Sequence, residues 1–447
     1  MFAFLDKARS VAPAGYNRWR ILPAALCIHL CIGQAYAWSV FNIPLTRLVG
    51  IQASVAEDWT REEVIWIFSL AIVFLGLSAA VGGTWLERVG PRCAMFVSAS
   101  CFASGFFISA LGAHLHSIFL LYLGYGVFGG CGLGIGYISP VSTLIKWFPD
   151  RPGLATGLAI MGFGGGAMLG APLAVHLMDF FSTEASTGVV ATFLIMGSLY
   201  LGVMLTGAFL VRLPPEGWQP SSLAARSDRR ARGKVQPVHA DQALRTPQFY
   251  LLWSMLCINV TAGIGILGKA SDMLQDMFPT TVATGSWFVG LLSMANMLGR
   301  ILWSSASDYL GRRRTYAIFF GLGATLYATL PHFSQTESPW LFMLTCGLIM
   351  TMYGGAFATI PAYLRDLFGT MHVGAIHGRL LTAWSLAGVA GPVLLTRWAE
   401  HHKQMGGPAS ESYRGVLLFM AGLLLLGLAA NAALYPVSSC HHYREVD

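Results

Sequence analysis

The residue most out of place in this sequence is Arg300, which lies in the otherwise apolar stretch SMANMLGRILWSSASD. An arginine at the centre of a bilayer costs about 3 kcal/mol on insertion scales, so such a charge usually faces a bundle interior and binds a ligand. Its planar guanidinium can donate two parallel hydrogen bonds to one carboxylate. Asn296, one turn earlier on the same face, cannot neutralise that charge. The pair predicts a positively charged site for a small anion. The alternative is a side chain that reaches the polar surface near Asp308, about 12 Å away along the helix.

Two further side chains are candidates for charge or proton handling. His29 is the only histidine that we place well inside an apolar run, and it lies seven residues before Tyr36, on a similar helix face. Because histidine titrates near neutral pH, His29 is predicted either to relay a proton or to be a packing histidine held by a hydrogen bond. Lys269 lies near the outer end of another run, where reaching the interface with its long side chain is the simpler role.

The composition places these residues in a membrane protein. Hydrophobic residues make up 55% of the 447 residues and charged residues only 11%, whereas soluble domains carry roughly 25% charged residues. The 51 glycines suit helices that pack closely in lipid. The eight cysteines are scattered along the apolar runs and predict neither a disulfide framework nor a metal site.

Twelve apolar runs are long enough to cross a bilayer core, which needs about twenty residues of helix. They are predicted at residues 21–44, 63–85, 93–113, 117–142, 153–178, 188–211, 248–268, 284–305, 314–332, 339–362, 375–396 and 415–436. The longest polar stretch falls between the sixth and seventh runs. The predicted organisation is a six-helix bundle at 1–211, a linker at 212–246, and a second six-helix bundle with a tail at 247–447.

The distribution of positive charge predicts the orientation. If both termini are cytoplasmic, 21 of the 28 Lys and Arg residues fall on the cytoplasmic side, and lysine and arginine are enriched in cytoplasmic loops. The sequence therefore predicts a multi-pass protein of the cell membrane, the inner membrane in a bacterium, with both termini in the cytoplasm. This bias also accounts for most of the net charge of +7, so a nucleic-acid partner is not expected.

One loop pattern occurs twice, at equivalent places in the two predicted halves. GTWLERVGPR follows the second run and SSASDYLGRR follows the eighth, and both fit small-x-x-x-acid-x-x-Gly-x-Arg. A tight turn between two helices favours glycine, and the acid can pair with an arginine or with a neighbouring helix end. These loops are predicted to latch the halves together and to open as the halves rock. The residues concerned are Gly83, Glu87, Arg88, Arg92, Asp308, Gly311 and Arg312.

The repeated loop resembles the signature G-x-x-x-D-R-x-G-R-R of the major facilitator superfamily, with Glu87 in place of the usual aspartate and Ser304 in place of the second glycine. Further segments resemble the oxalate:formate antiporter family of that superfamily, with the monocarboxylate transporters as the next nearest group. These segments are GQAYAWSVF, WFPDRPGLATG, LRTPQFYLLW, RDLFGT and GRLLTAWSLAGVAGP. The resemblance covers essentially the whole chain and implies an all-α fold of two pseudo-symmetric six-helix halves.

The same resemblance implies the residues of the site. In the resembled family an arginine at the Arg300 position contacts the substrate carboxylate, and the oxalate-specific branch adds a lysine in helix eleven. Here Trp384 takes the place of that lysine. One cation beside a tryptophan suits a monoanion with an apolar part better than a dianion. Aromatic residues that cage the carboxylate in the family are implied at Tyr36, Tyr137, Phe163, Tyr353 and Phe357, although packing within the helices is the alternative for each.

Together these features predict a secondary active transporter that moves a small carboxylate by alternating access. A monocarboxylate such as formate, pyruvate or lactate is favoured, by antiport or by proton symport. An oxalate/formate exchanger and a non-transporting sensor on the same fold are the alternatives. The chain has no His-x-x-x-His pair, and its glycine runs are not followed by Lys-Ser/Thr, so neither an enzyme with catalytic residues nor a nucleotide, metal or other cofactor is expected. The predicted state is a monomer in a lipid bilayer.

Overall fold

The described residues form twelve long helical segments. The computed structural model describes residues 3–220, 236–278, 280–334, 338–404 and 413–441, and within those ranges the only β-structure is two isolated bridges. The helices are α1 (Arg18–Leu45), α2 (Arg61–Val89), α3 (Pro91–His114), α4 (Ile118–Trp147), α5 (Pro152–Phe180), α6 (Val189–Leu210), α7 (Pro247–Met277), α8 (Val282–Leu310), α9 (Arg312–Thr329), α10 (Pro339–Phe368), α11 (Val373–Leu380 and Thr382–Gln404) and α12 (Arg414–Ala432). Each coincides with one of the twelve predicted runs.

Nine of these helices are long and apolar enough to cross a membrane when only the described residues are considered. The other three are α8, α9 and α11. The whole of α9, Arg312–Thr329, is 18 residues long and begins with three arginines. Its 18 residues therefore contain too many charges to count as an apolar membrane span. Several helices extend past their predicted ends. A helix of 29 residues such as α2 is about 44 Å long, whereas the apolar bilayer core is about 30 Å thick.

Two helices depart from regular α geometry where neighbouring helices come close. Residues Gly33–Phe41 of α1 are wound as a 3-10 helix, and a Cβ on Gly33 would lie 2.9 Å from the Cα of Phe163 in α5. Residues Tyr122–Gly129 of α4 form a π-helix. There the backbone N–H of Tyr125 donates to the Ser109 hydroxyl of α3 at 2.9 Å, so a side chain of the neighbouring helix takes part in the hydrogen-bond ladder of α4.

The two halves, α1–α6 and α7–α12, meet mainly where α5 packs against α8 and where α2 packs against α11. Small residues allow the backbones to approach. A Cβ on Gly83 would lie 2.7 Å from the Cα of Ala375, and one on Gly157 would lie 2.7 Å from the carbonyl oxygen of Arg300. These contacts lie towards the face of the bundle that carries both ends of the described chain, which we call the terminal face. The structure is therefore closed at the terminal face.

The end of the linker is attached to this face by side-chain contacts. Arg379 donates to Asp241 at 2.5 Å, and that bond lowers the pKa of the Asp241 carboxyl. The rings of His239 and His372 pack edge to face with their centroids 4.6 Å apart. Burial and the neighbouring His239 lower the pKa of His372, so its ring is neutral at neutral pH. Residues 221–235 of the predicted linker lie outside the described residues.

The packing between α3 and α4 generates a stability prediction. A Cβ on Gly132 would lie 2.6 Å from the backbone nitrogen of Phe102, so Gly132→Ala should force the helices apart and cost about 1–3 kcal/mol. Thermal unfolding of the purified protein in detergent should show a lower Tm. A Cβ on Gly202 would meet nothing within 4 Å, so Gly202→Ala is the matched control and should keep or raise the Tm. Equal effects of the two changes would contradict this account.

Candidate functional site

Arg300 lies at the centre of the interface between the halves. Its side chain is 0% exposed, and it projects from α8 towards α5. Its Nε donates to Asn296 Oδ1 at 3.1 Å, and its Nη1 donates to the carbonyl oxygen of Ile160 at 3.1 Å. Its Nη2 is buried and has no hydrogen-bond partner among the described residues. The guanidinium is thus held in place on two sides and has donor capacity left on the third.

The charge of Arg300 has no protein counterion in the described part of the chain. None of the ion pairs found there includes Arg300, and its one side-chain acceptor is the neutral amide of Asn296. Buried charges in proteins are normally paired, because removing an ion from water is costly. Chemically, the site is suited to receiving an anion.

Aromatic rings surround the guanidinium. Its Cζ lies 5.9 Å from the ring centroid of Tyr36, 5.8 Å from that of Phe163 and 5.6 Å from that of Phe357. Rings at this distance attract a cation through their quadrupole. Tyr36 and Phe163 come from α1 and α5 of the first half, whereas Phe357 comes from α10 of the second. Both halves therefore contribute to the environment of Arg300.

Trp384 and Tyr137 complete the ring cluster. The Trp384 ring lies 4.9 Å from Phe357, 5.5 Å from Phe163 and 5.8 Å from Tyr137, centroid to centroid. Both side chains are fully buried. The Tyr137 hydroxyl and the Trp384 indole nitrogen have no hydrogen-bond partner among the residues described. Two further polar groups without partners thus belong to the cluster that surrounds the guanidinium.

A hydroxyl pair joins the halves beside this cluster. The hydroxyl oxygens of Tyr36 in α1 and Tyr353 in α10 are 3.4 Å apart. Together with Asn296, which holds the Arg300 Nε, these contacts account for every residue that the sequence places in the binding site. The structure brings all eight together: Arg300, Asn296, Tyr36, Tyr137, Phe163, Tyr353, Phe357 and Trp384. The Arg300 guanidinium lies among the rings and does not extend to the terminal face.

His29 lies beside the site and forms a backbone contact. Its Nε2 is 3.2 Å from the carbonyl oxygen of Tyr137, and its ring packs edge to face on the Tyr137 ring. Since a carbonyl only accepts, the hydrogen of this bond is on Nε2. Lys269, the other candidate cation, has a side chain outside the described residues.

A second buried histidine was missed from the sequence. His29 was expected to be the only histidine well inside a run, and the structure also buries His377, the fifth residue of the first piece of α11: it is 1% exposed and its ring lies 5.7 Å from that of Tyr137. Its Nε2 has no partner in the described chain. The segment GAIHGRL resembles a polar helix end, so its sequence did not indicate that His377 is buried. The available signal was its position seven residues before Trp384, and both rings pack on the same Tyr137 ring.

The two repeated loops lie at the terminal face and differ in their contacts. Asp308 accepts from the backbone N–H groups of Gly153 and Leu154 at 2.9 Å each, so an acid of the second half caps the start of α5 in the first. Arg312 pairs with Asp308 at 2.5 Å. Gly311 has φ +86°, a conformation that favours glycine.

In the first loop the acid pairs within its own half. Glu87 accepts from Lys146 of α4 at 2.8 Å, whereas the sequence predicted an arginine or a helix end. Gly83 contacts α11 as described above. Arg92 donates to the carbonyl of Phe4 at 3.0 Å, and the side chain of Arg88 is exposed. Among the described residues no group of three or more His, Cys, Asp or Glu is placed to hold a metal ion.

Comparison with known proteins gives a family match and several relatives. A family model described as Major Facilitator Superfamily matches residues 25–392 and 270–442. The chain is 26% identical to the uncharacterized MFS-type transporter YhjX of Escherichia coli (85% of this chain, 88% of that protein). It is 24% identical to the oxalate:formate antiporter of Oxalobacter formigenes (84% and 83%). It is 25% identical to human monocarboxylate transporter 11 (86% and 77%).

Solved structures agree on the fold. A crystal structure of the transporter FucP in the outward conformation matches with a TM-score of 0.64 at 13% identity, covering 92% of this chain and 98% of that one. At this identity the likeness concerns the fold alone: an all-α bundle of two six-helix halves.

The cap on α5 generates a prediction about the terminal face. Asp308→Ala removes the carboxylate that accepts from Gly153 and Leu154. Hydrogen bonds to charged groups contribute about 1.5–3 kcal/mol each, so amide exchange at these two positions should become at least about tenfold faster. Hydrogen–deuterium exchange mass spectrometry of peptides covering residues 150–157 measures this. Asp179→Ala, at the opposite end of α5, is the control and should leave the exchange of residues 150–157 unchanged. Unchanged exchange of these residues in the Asp308→Ala variant would show that the cap does not hold the terminal face closed.

Proposed function

Since the chain belongs to the Major Facilitator Superfamily and is a multi-pass membrane protein, we propose that it is a secondary active transporter of a small carboxylate, with a monocarboxylate as its substrate. The observation that carries this proposal is the buried Arg300, whose Nη2 has no partner and whose charge has no acidic counterion among the described residues. An anion that enters the site supplies both the hydrogen-bond acceptor for Nη2 and the counterion for the charge. Antiport and proton symport are both compatible with this role.

The donors around Arg300 suit one carboxylate group. Besides the Arg300 Nη2, the cluster holds the unpartnered hydroxyl of Tyr137 and indole N–H of Trp384. A carboxylate has two oxygens with about four lone-pair positions, so it can accept from all three donors. Phe163 and Phe357 contribute rings without hydroxyls. They form an apolar surface for the remainder of a small organic acid.

The single charge argues for a monoanion. With Trp384 in the cluster, Arg300 is the one cation that the described site presents, and binding one negative charge makes it neutral. A dianion would leave one charge uncompensated in an apolar cluster, which is unfavourable. The relatives named for oxalate:formate exchange and for monocarboxylate transport agree with the general class of small carboxylates.

Alternating access fits the way the halves meet. The site lies between them, and the terminal face is closed by contacts between α5 and α8 and between α2 and α11. Rocking of one half against the other would break those contacts and expose Arg300 to the terminal face. With 21 of 28 Lys and Arg residues on the side of the termini, we assign this face to the cytoplasm. Gradients of solutes or ions would drive the cycle.

Replacing Arg300 tests the proposal directly. In proteoliposomes, uptake of radiolabelled formate, pyruvate, lactate and oxalate should identify the preferred acid, and Arg300→Gln should reduce its uptake at least about 30-fold, because losing a buried charge partner costs about 2 kcal/mol or more. Arg300→Lys keeps the charge without the fork and should retain part of the activity. Arg314→Gln, at an exposed arginine of the next helix, is the control for insertion and folding. Undiminished uptake by the Arg300→Gln variant would exclude Arg300 from the binding site.

Trp384 provides the test of substrate charge. Trp384→Lys places a second cation in the cluster, so the ratio of oxalate to pyruvate uptake should rise about tenfold or more, since a buried charge pair is worth more than about 1.4 kcal/mol. Trp398→Lys is the matched control, because Trp398 is an exposed tryptophan of the same helix, 42% accessible. Wild-type protein that prefers oxalate to every monocarboxylate would contradict the one-cation argument.

A further inference from the structure

We propose that His377 is the proton-binding residue of this carrier, so that one proton crosses the membrane with each monocarboxylate. This inference rests on the proposed function and selects proton symport from the two modes that it allows. The proton adds to the lone pair of the imidazole nitrogen on one side of the membrane and leaves it on the other. This proton transfer requires a titratable group that lies near the anion and whose surroundings change as the halves move.

The carboxylates whose side chains are described do not meet this requirement. Among helix residues whose side chains are described, acidic groups lie within the first or last turns. They are Glu62, Glu63, Glu87, Asp179, Asp276, Asp308 and Asp366. Tyrosine and cysteine titrate far from neutral pH in their unperturbed state, whereas histidine titrates close to it. Around the ring cluster this leaves His29 and His377, which are 0% and 1% exposed.

The two histidines differ in which half surrounds them. His29 belongs to α1 and contacts Tyr137 of α4 and Gly162 of α5, all within the first half. These direct contacts stay constant when the halves move as rigid bodies, although the charge of Arg300 in the second half also acts on His29. His377 belongs to α11 of the second half but packs on Tyr137 of the first. Separation of the halves removes that contact, so the His377 ring loses its cover from the first half when the terminal face opens.

A stripe along α11 connects His377 to both the site and the terminal face. His377 and Trp384 both pack on the Tyr137 ring, at centroid distances of 5.7 and 5.8 Å, and Gly374 lies three residues before His377 in the first piece of α11. Trp384 is part of the ring cluster around Arg300. At the other end, a Cβ on Gly374 would lie 2.9 Å from Glu87 Oε1. That oxygen has no hydrogen-bond partner in the described chain, whereas Oε2 is paired with Lys146. His377 thus lies between the anion site and an acidic group at the terminal face.

The charged and titratable groups around this part of α11 come from several elements. From the first half they are Tyr137, Lys146, Glu87 and, behind Tyr137, His29. The last turn of α10 contributes Arg365 and Asp366. The linker contributes Asp241 and His239, which lie beside Arg379 and His372 at the two ends of the first piece of α11. All the charged groups except Arg300 belong to the terminal face. Inside the bundle, His29 is the titratable group that acts on His377, and the charge of Arg300 acts on His29.

Arg300 supplies the coupling between anion and proton. Tyr137 packs on His377 on one side and on Phe163 and Phe357, which flank the guanidinium, on the other. While Arg300 is unliganded, its positive charge opposes a second cation in this low-dielectric region. A bound carboxylate neutralises Arg300 and removes that opposition. Protonation therefore becomes favourable when the anion is bound, and by linkage the protonated carrier binds the anion more tightly.

Proton movement is the measurement that tests His377. Pyruvate is added outside proteoliposomes that contain a pH-sensitive dye. The dye signals of protein-free vesicles and of Arg300→Gln vesicles are subtracted, because they report permeation of the undissociated acid. Wild-type protein should acidify the lumen as pyruvate enters. An inside-alkaline gradient should accumulate pyruvate about tenfold per pH unit, as one proton per anion requires. His377→Gln should abolish both effects but keep pyruvate–pyruvate exchange, which needs no net proton transfer.

The controls separate this inference from the proposed function. His176→Gln, at an exposed histidine near the far end of α5, should behave as wild type. If wild-type protein exchanges pyruvate but moves no protons, the inference fails while the proposed function stands; if wild-type protein neither takes up nor exchanges any of the four acids, the proposed function fails. Proton coupling that survives His377→Gln, or that is lost in His29→Gln instead, overturns the assignment. Loss of exchange in both His377→Gln and His377→Asn also overturns it, because His377 would then serve structure or anion binding.

Discussion

A buried, uncompensated charge is the constraint to which the rest of this structure conforms. Arg300 is fully removed from solvent and is held by an amide oxygen and a backbone carbonyl, neither of which carries a full negative charge. Removing a charge from water is costly, so the bundle must hold this side chain closely, and its Nη2 keeps a free donor among the described residues. The glycines of α5 make room for it: a Cβ on Gly164 would lie 3.1 Å from the Arg300 Nε, and one on Gly157 would lie 2.7 Å from its carbonyl oxygen. The glycine run of this helix is therefore explained by close packing against α8 on one face and against α1 on the other, where a Cβ on Gly166 would lie 2.6 Å from the Cα of Gly33. A phosphate-binding role is not needed to explain it.

The two repeated loops show how similar sequences come to carry different tasks. In the second half, the aspartate of the pattern reaches across the interface and caps α5 through two backbone N–H groups. In the first half, the longer glutamate pairs with Lys146 of its own half, while α2 and α11 approach through Gly83. One side of the terminal face is thus held by charge-assisted hydrogen bonds and the other by close backbone packing. Glu87, which stands where the repeated pattern usually has aspartate, thus makes a different contact from Asp308: it pairs with Lys146 of its own half and does not cap a helix of the other half.

Much of the architecture could be predicted from the sequence because apolar length and repeated turns are local signals. The twelve runs became twelve helices, and the residues expected around Arg300 converge on it. What could not be predicted depends on contacts between elements distant in sequence. The π-helix of α4 involves the hydroxyl of Ser109 in α3. His377 is buried only because α2, α4 and α10 cover the first piece of α11, although its own segment resembles a polar helix end.

The depth of the contacts explains how so compact a site can open to either side. Arg300 lies ten residues before the end of α8, about 15 Å from the terminal face, whereas Tyr353 lies fifteen residues before the end of α10, about 22 Å from it. The hydroxyl pair of Tyr36 and Tyr353 therefore joins the halves on the far side of Arg300, and the α5–α8 contact joins them on the near side. Each connection depends on few polar groups. Under the proposed function, an anion that draws the aromatic rings together would strengthen the far connection, and the near one would then break without exposing the site to both faces at once.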